Sequence, residues 1–404
     1  MRNIHKQDIR ATIDDFNHFC QYVDKNKPVL SKRKAQLGKK DLFDINALLH
    51  FRKHVAAPNY QQESYPVIDL LFHVATQTKL YLKSAGPKGN ILLTRTAGKE
   101  EFERMNIFEQ YVFLFEAFWC TFDFGEILRF GFSPIDEAIE TFGHSAPGEE
   151  LKKGAFTNRP DYDPLFSFSA AVIHYFRFFG LCHFIPVADT GKKLTRYDDS
   201  IHTVLPTELG VQIGKILKGQ EIIRWNVPAL KEVGFYKGDV REDPEFAPFF
   251  QLIAPLFPSG KVKKTVTFEP AMVKGSYLFK VSLAGNLWRR IELSHKHTLL
   301  DLHNAIQDAF DFNDDHLYSF FMDAKRHSRS SYNSPYIDEG PYVDEISIGE
   351  LELFEGQRFL YHFDFGDDWE FDIVLEKIDS SGPLPVNPKI VKKKGKSPEQ
   401  YRYF

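Results

Sequence analysis

Phe363-Asp364-Phe365-Gly366-Asp367-Asp368-Trp369-Glu370-Phe371 is the stretch whose reading decides the fold of the C-terminal third of this 404-residue chain. Just before and into it, Phe359, Tyr361, Phe363 and Phe365 alternate with Leu360, His362 and Asp364. A period of two puts the four aromatics on one face and His362 and Asp364 on the other, the pattern of a half-buried strand. Gly366-Asp367-Asp368 supplies turn chemistry, and Trp369, Phe371, Ile373 and Leu375 then alternate with Glu370, Asp372 and Glu376 as a second strand. The expectation is a β-hairpin with an acidic tip. Its carboxylates read either as solvated turn formers or, together with Trp369, as the rim of a pocket. His316, Asp364, Asp367, Asp368 and Trp369 are the candidate binding residues.

Upstream, Tyr277 to Leu283 alternates as a strand and Trp288-Arg289-Arg290-Ile291-Glu292-Leu293 follows. Thr298 then caps a helix whose Leu299, Leu302, Ile306, Ala309 and Phe310 share one face. Asp311 to Phe320 closes that helix and enters another strand. Trp288, Phe310, Phe363, Phe365 and Trp369 are expected to share or border one core. In order along the chain, Trp288-Arg289-Arg290-Ile291, Leu302 to Phe310, Asp315 to Phe320 and the Asp364 to Trp369 block resemble the plasmid pRiA4b open-reading-frame-three-like family. The resemblance spans about residues 265–404, including the tail Gly395 to Tyr401. It implies an α+β domain of bacteria and archaea, associated with mobile elements and without an established biochemical activity. One departure from the family pattern is Tyr318 and Phe371 where many members carry His, which places in doubt any metal or acid–base site those residues support elsewhere.

Before that domain two stretches share an order of helix, strand, loop, strand and helix, the order of a winged-helix unit. The first runs from Tyr65 to Met105 and the second from Ala171 through Glu208-Leu209-Gly210. Between them Phe108, Val112, Phe115, Trp119 and Phe122 step by four and three, an apolar helical seam that reads as packing. Pro244, Pro248, Pro255 and Pro258 mark a linker. The fold class is therefore α+β: a helical, winged-helix-like N-terminal region (units at 1–130 and 131–240), a Pro-rich linker at 241–264, and the α+β domain at 265–404.

A net charge of −4 conceals strong polarity, since residues 1–100 carry +8 and residues 301–376 carry −15. The acidic block repels nucleic acid and attracts cations or basic partners. Lys79, Lys83, Lys88 and Arg95 in the first wing-like unit invite a nucleic-acid reading, supported by Lys32, Arg33, Lys34, Lys39 and Lys40. The alternative is a solvated face, or a patch that pairs with the acidic block. Cys20, Cys120 and Cys182 lack paired spacing, which fits a reducing compartment. Leu165 to Ala188 approaches spanning length, but Arg177, His174, His183, Gly180 and Pro186 interrupt it, so no membrane span is expected.

His303, His316 and His362 could converge with Asp364 or Asp367 as two imidazoles and a carboxylate, though their spacing is no ligand signature. The polar loop Arg326 to Tyr342 reads as flexible and contains no identifiable nucleophile. No catalytic triad, phosphate loop or closed ligand set is visible, so neither a metal nor a cofactor is expected. The functional expectation is a cytoplasmic, non-enzymatic interaction or adaptor protein with a protein partner. Its alternatives are a DNA-binding regulator acting through the winged-helix-like units, and a metal-assisted hydrolase using the acidic C-terminal site.

Overall fold

The computed structural model describes residues 4–122, 124, 133–157, 163–166, 169–187, 201–220, 222–226, 249–263, 273–328 and 330–401. Along the chain the first elements are α1 (Lys6–Asn26), α2 (Lys39–Leu48), α3 (Pro66–Gln77), β1 (Tyr81–Ala85), β2 (Ile91–Arg95), α4 (Ala97–Arg104) and α5 (Ile107–Cys120). They are followed by α6 (Ser133–His144), β3 (Leu151–Lys152), α7 (Ala171–Phe178), β4 (Cys182–Pro186), β5 (Ile201–Pro206), α8 (Glu208–Leu217) and α9 (Phe249–Ile253). Two compact units emerge: Met1–Pro28 with Leu37–Leu82 and Thr94–Phe268, and Val29–Gln36 with Lys83–Leu93 and Glu269–Phe404.

The first unit is centred on α5. Asn106 caps it, its Oδ1 accepting from the Phe108 and Glu109 amides at 3.0 and 3.2 Å. The expected seam of Phe108, Val112, Phe115, Trp119 and Phe122 is buried throughout. A helix apolar on nearly every side belongs inside a core, and Phe115, Phe118 and Phe179 close ring to ring around it. The described residues follow the order helix, strand, strand and helix in both stretches, residues 188–200 lying outside them, and the second pair of strands belongs to a sheet of order β3-β5-β4. The small residues matter where backbones meet: a Cβ on Gly210 would lie 1.9 Å from the Leu181 carbonyl oxygen, and one on Gly214 would lie 2.4 Å from the Gly143 nitrogen.

The proline-rich stretch differs from expectation. Residues 241–248 lie outside the described residues, but Phe249, Ile253, Leu256 and Phe257 are buried. Trp119 stacks on Phe249 at 6.0 Å, so this part is core rather than linker, because four large apolar side chains outweigh the chain-stiffening prolines. The apolar run near 165–188 ends its helix at Phe178, with Gly180 at φ +72°. Among the described residues no helix is long and apolar enough to cross a membrane.

The second unit holds β6 (Ser276–Ala284), β7 (Leu287–Ser294), α10 (Leu299–Phe310), β8 (Tyr318–Phe321), β9 (Ser331–Asn333), β10 (Arg358–Phe363), β11 (Trp369–Asp379) and β12 (Lys389–Lys394). The strands form an antiparallel sheet of order β12-β7-β6-β11-β10-β8-β9. Register carries buried residues across it: Phe320 pairs with Tyr361 and Tyr361 with Phe371, while Phe359 pairs with Ile373, Ile373 with Val281 and Val281 with Arg289. The amphipathic α10, begun by a Thr298–Asp301 capping box, contributes the expected Leu299, Leu302, Ile306, Ala309 and Phe310 to the same core. This is the α+β arrangement.

Three details depart from the sequence reading. Trp288 lies on the outer face, beneath the Lys280 and Arg290 side chains, because Arg289, Ile291 and Leu293 take the buried register. The Arg289 side chain is tolerated there because its guanidinium donates to the carbonyls of Trp288, Ala309, Lys394 and Gly395 and to Ser397 Oγ. Phe365 is 44% exposed, since β10 ends at Phe363 and Asp364 turns the chain at φ +54°. Finally, part of the Arg326 to Tyr342 loop is ordered as the edge strand β9, where Ser319 Oγ donates to Asn333 Oδ1 at 2.7 Å.

Candidate functional site

The acidic tip is built around Asp364. Its side chain is buried and Oδ1 accepts from the Gly366 and Asp367 amides at 3.0 and 3.3 Å, while its carbonyl accepts from the Asp368 amide at 2.8 Å. Asp364 thus forms the turn and also faces outward, with Oδ2 3.4 Å from His316 Nε2. His316 lies 3.6 Å from Asp315, and Asp315 accepts from the Tyr401 hydroxyl at 2.5 and 2.6 Å. Burial, then the Asp315 contact, pushes the Tyr401 phenol up to about 12.

The other half of the tip centres on Asp368. His362 Nε2 is 3.0 Å from its Oδ1, and Arg326 pairs with Asp368 and, at 3.3 Å, with Glu370. Burial lowers the His362 basicity, with the Arg326 charge adding to it and the Asp368 bond opposing it. Desolvation works against ionising Asp368, but its bonds from His362 and Arg326 together hold its carboxyl below the usual range. Asp367 is exposed. Trp369 is half-buried against Phe312 at 4.9 Å, and its indole N–H is buried without a hydrogen-bond partner among the described residues. Beside these charges Phe365 and Leu317 remain 44% and 40% exposed. The five predicted residues do gather at one end of the sheet. Arg326 and Tyr401, which organise them, were missed because they arrive from 42 and 86 residues away.

The three histidines do not converge. His303 is fully buried, stacked on Tyr318 at 3.6 Å, with Nδ1 accepting from the Tyr361 hydroxyl at 2.7 Å. Gln307 Nε2 donates to the same hydroxyl at 2.7 Å, and Asp314 Oδ1 lies 2.9 Å from His303 Nε2. Burial lowers this imidazole to about 4 against the pull of Asp314. The positions departing from the family pattern are core aromatics: Tyr318 beneath His303, and Phe371 against Phe310 at 4.9 Å. Among the described residues one group of three has ligand atoms all within 4.8 Å, and it lies in the N-terminal unit: Asp15, His18 and His50.

The four basic candidates have different surroundings. Lys79 sits at φ +58°, and burial lowers its ammonium. Lys83 lies over the Phe354 ring at 5.8 Å, and Arg95 pairs with Asp24 at 3.4 Å and with Glu103. Lys88 is exposed at the hairpin turn. Cys20, Cys120 and Cys182 are all buried.

With this geometry in place, the comparisons agree with the C-terminal motifs. Residues 276–400 match the model of the family described as Plasmid pRiA4b ORF-3-like protein. The chain is also similar to the crystal structure of a protein of unknown function from Methanosarcina mazei Go1, at 28% identity and a TM-score of 0.27, over 31% of this chain and 73% of that one. No curated protein matches the chain.

Proposed function

We propose that this chain is a cytoplasmic, non-enzymatic interaction protein whose C-terminal acidic tip receives a basic, apolar-bearing segment of a protein partner. The observation that carries the reading is the pairing of exposed Phe365 and Leu317 with carboxylates held in fixed positions around them. An apolar anchor ringed by polar groups is the anatomy of a binding patch. The −15 charge of residues 301–376 supplies attraction for basic segments over a longer range.

Two other functions have weaker support. The N-terminal element order and the β3-β5-β4 sheet favour winged-helix-like units. In such a unit a helix must reach base edges, yet the helices preceding the two hairpins, α3 and α7, bury most of their residues and carry Arg177 as their one Lys or Arg. A metal-assisted hydrolase at the tip needs two of His303, His316 and His362 to share one carboxylate, and each faces a different acidic partner. Affinity capture from host lysate with the wild type and a Phe365→Ser/Asp367→Lys variant tests the proposal. A partner depleted at least tenfold by the variant is expected, and an unchanged set of co-purifying proteins refutes it.

A further inference from the structure

The structure assigns a divalent transition-metal site, best matched to zinc, to Asp15, His18 and His50 in the N-terminal unit. Asp15 and His18 are three residues apart on α1 and therefore share a face. His50 follows the end of α2, and the fold brings it back to Asp15. Ligand atoms from all three lie within 4.8 Å of one another. Two imidazole nitrogens and one carboxylate oxygen form a donor set suited to zinc, leaving a fourth position for water.

The carboxylate is held as a ligand must be held. Asp15 is fully buried, with Oδ1 accepting from the His50 amide at 2.7 Å and Oδ2 from the Phe51 amide at 3.0 Å. Such outer contacts fix the orientation of a coordinating group. His50 Nδ1 lies 2.7 Å from the same Oδ1. Its ring is stacked with His18 at 6.0 Å and 22°. A second observation points to a ligand: His18 Nδ1 is buried with no hydrogen-bond partner among the described residues, a costly state for an imidazole nitrogen and one a metal would relieve. Side-chain exposure of 52% at His50 gives an ion access.

Two features compete with the metal. The short contact between His50 and Asp15 is a good hydrogen bond without an ion, so coordination requires its proton to leave and the His50 nitrogen and Asp15 oxygen to part by roughly half an ångström, given zinc–ligand distances of about 2.0–2.1 Å. The Arg177 guanidinium acts electrostatically on Asp15 and lies over Phe51 and Phe184 at 5.4 and 5.0 Å. It partly neutralises the carboxylate and weakens cation binding. Against these stands the gain from tying α1 to the segment after α2, so bound metal stabilises the fold by linkage.

The test is equilibrium dialysis of the metal-stripped full-length protein against zinc chloride, with elemental analysis, thermal unfolding and Co2+ visible spectra. The assignment predicts one zinc per chain, a rise in Tm with zinc, and intense four-coordinate Co2+ bands. His18→Ala and His50→Ala should each weaken binding at least tenfold, whereas His144→Ala, at an exposed helix end, should not. Because His50 is half-exposed, its variant remains informative if His18→Ala fails to fold. Absence of saturable binding, or binding unchanged in His50→Ala, overturns the assignment.

Discussion

Acidification should loosen the C-terminal sheet through His303. This imidazole is fully buried, faces Tyr361, Tyr318, Gln307 and Asp314, and is lowered from 6.5 to about 4 by burial. Because the folded value is depressed, the unfolded chain binds the extra proton between these pH values. The neutral imidazole's contribution is therefore complete above pH 6.5, erodes as pH falls, and is gone below about pH 4. At 1.36 kcal/mol per pH unit the whole effect is about 3 kcal/mol, with roughly 2 kcal/mol already lost at pH 5. Hydrogen exchange of a peptide spanning 359–371, corrected for intrinsic rates, measures it in the full-length protein. His303→Gln keeps an acceptor for Tyr361 and removes the titration. The opening free energy of the wild type relative to this variant should drop by about 2 kcal/mol between pH 7 and pH 5. A pH-independent difference would refute the buried neutral imidazole.

Gly210→Ala should lower the stability of the N-terminal unit by about 3 kcal/mol, because its Cβ would collide with the backbone of Leu181 rather than with a movable side chain. A Tm within two or three degrees of wild type would contradict that packing. Arg289→Met should cost about 3 kcal/mol in denaturant titration, since Ala309, Lys394 and Gly395 carbonyls lose a charged donor, and Arg289→Lys should recover only part of it. Full recovery by Lys would show that the forked geometry is unimportant.

The hairpin was legible because alternation and turn chemistry act locally: Phe359, Tyr361 and Phe363 fill the core as the period of two requires. Alternation failed at Phe365 because the Asp364 side chain captures the next amides and reverses the chain first. It failed at Trp288 for a different reason. The sheet register puts Arg289 inside, where the neighbouring Trp288 carbonyl and four acceptors from distant segments satisfy it, and no local rule anticipates a buried cation. In the candidate site, the tip carboxylates announced themselves by composition, whereas Arg326 and Tyr401 are joined to them only by folding. The Asp15, His18 and His50 group was not read from the sequence, because His50 reaches the other two only through tertiary structure.

The central claim is that the acidic, aromatic tip is where a partner docks. A photo-reactive phenylalanine analogue placed at position 365 tests it most directly, with the same analogue at exposed Asn286, in the turn between β6 and β7, as control. Irradiation in host cells should yield one discrete protein adduct from position 365, weakened by Asp367→Lys and by high salt, and none from position 286. Adducts of equal yield at both positions, or nucleic acid rather than protein at 365, would contradict the account.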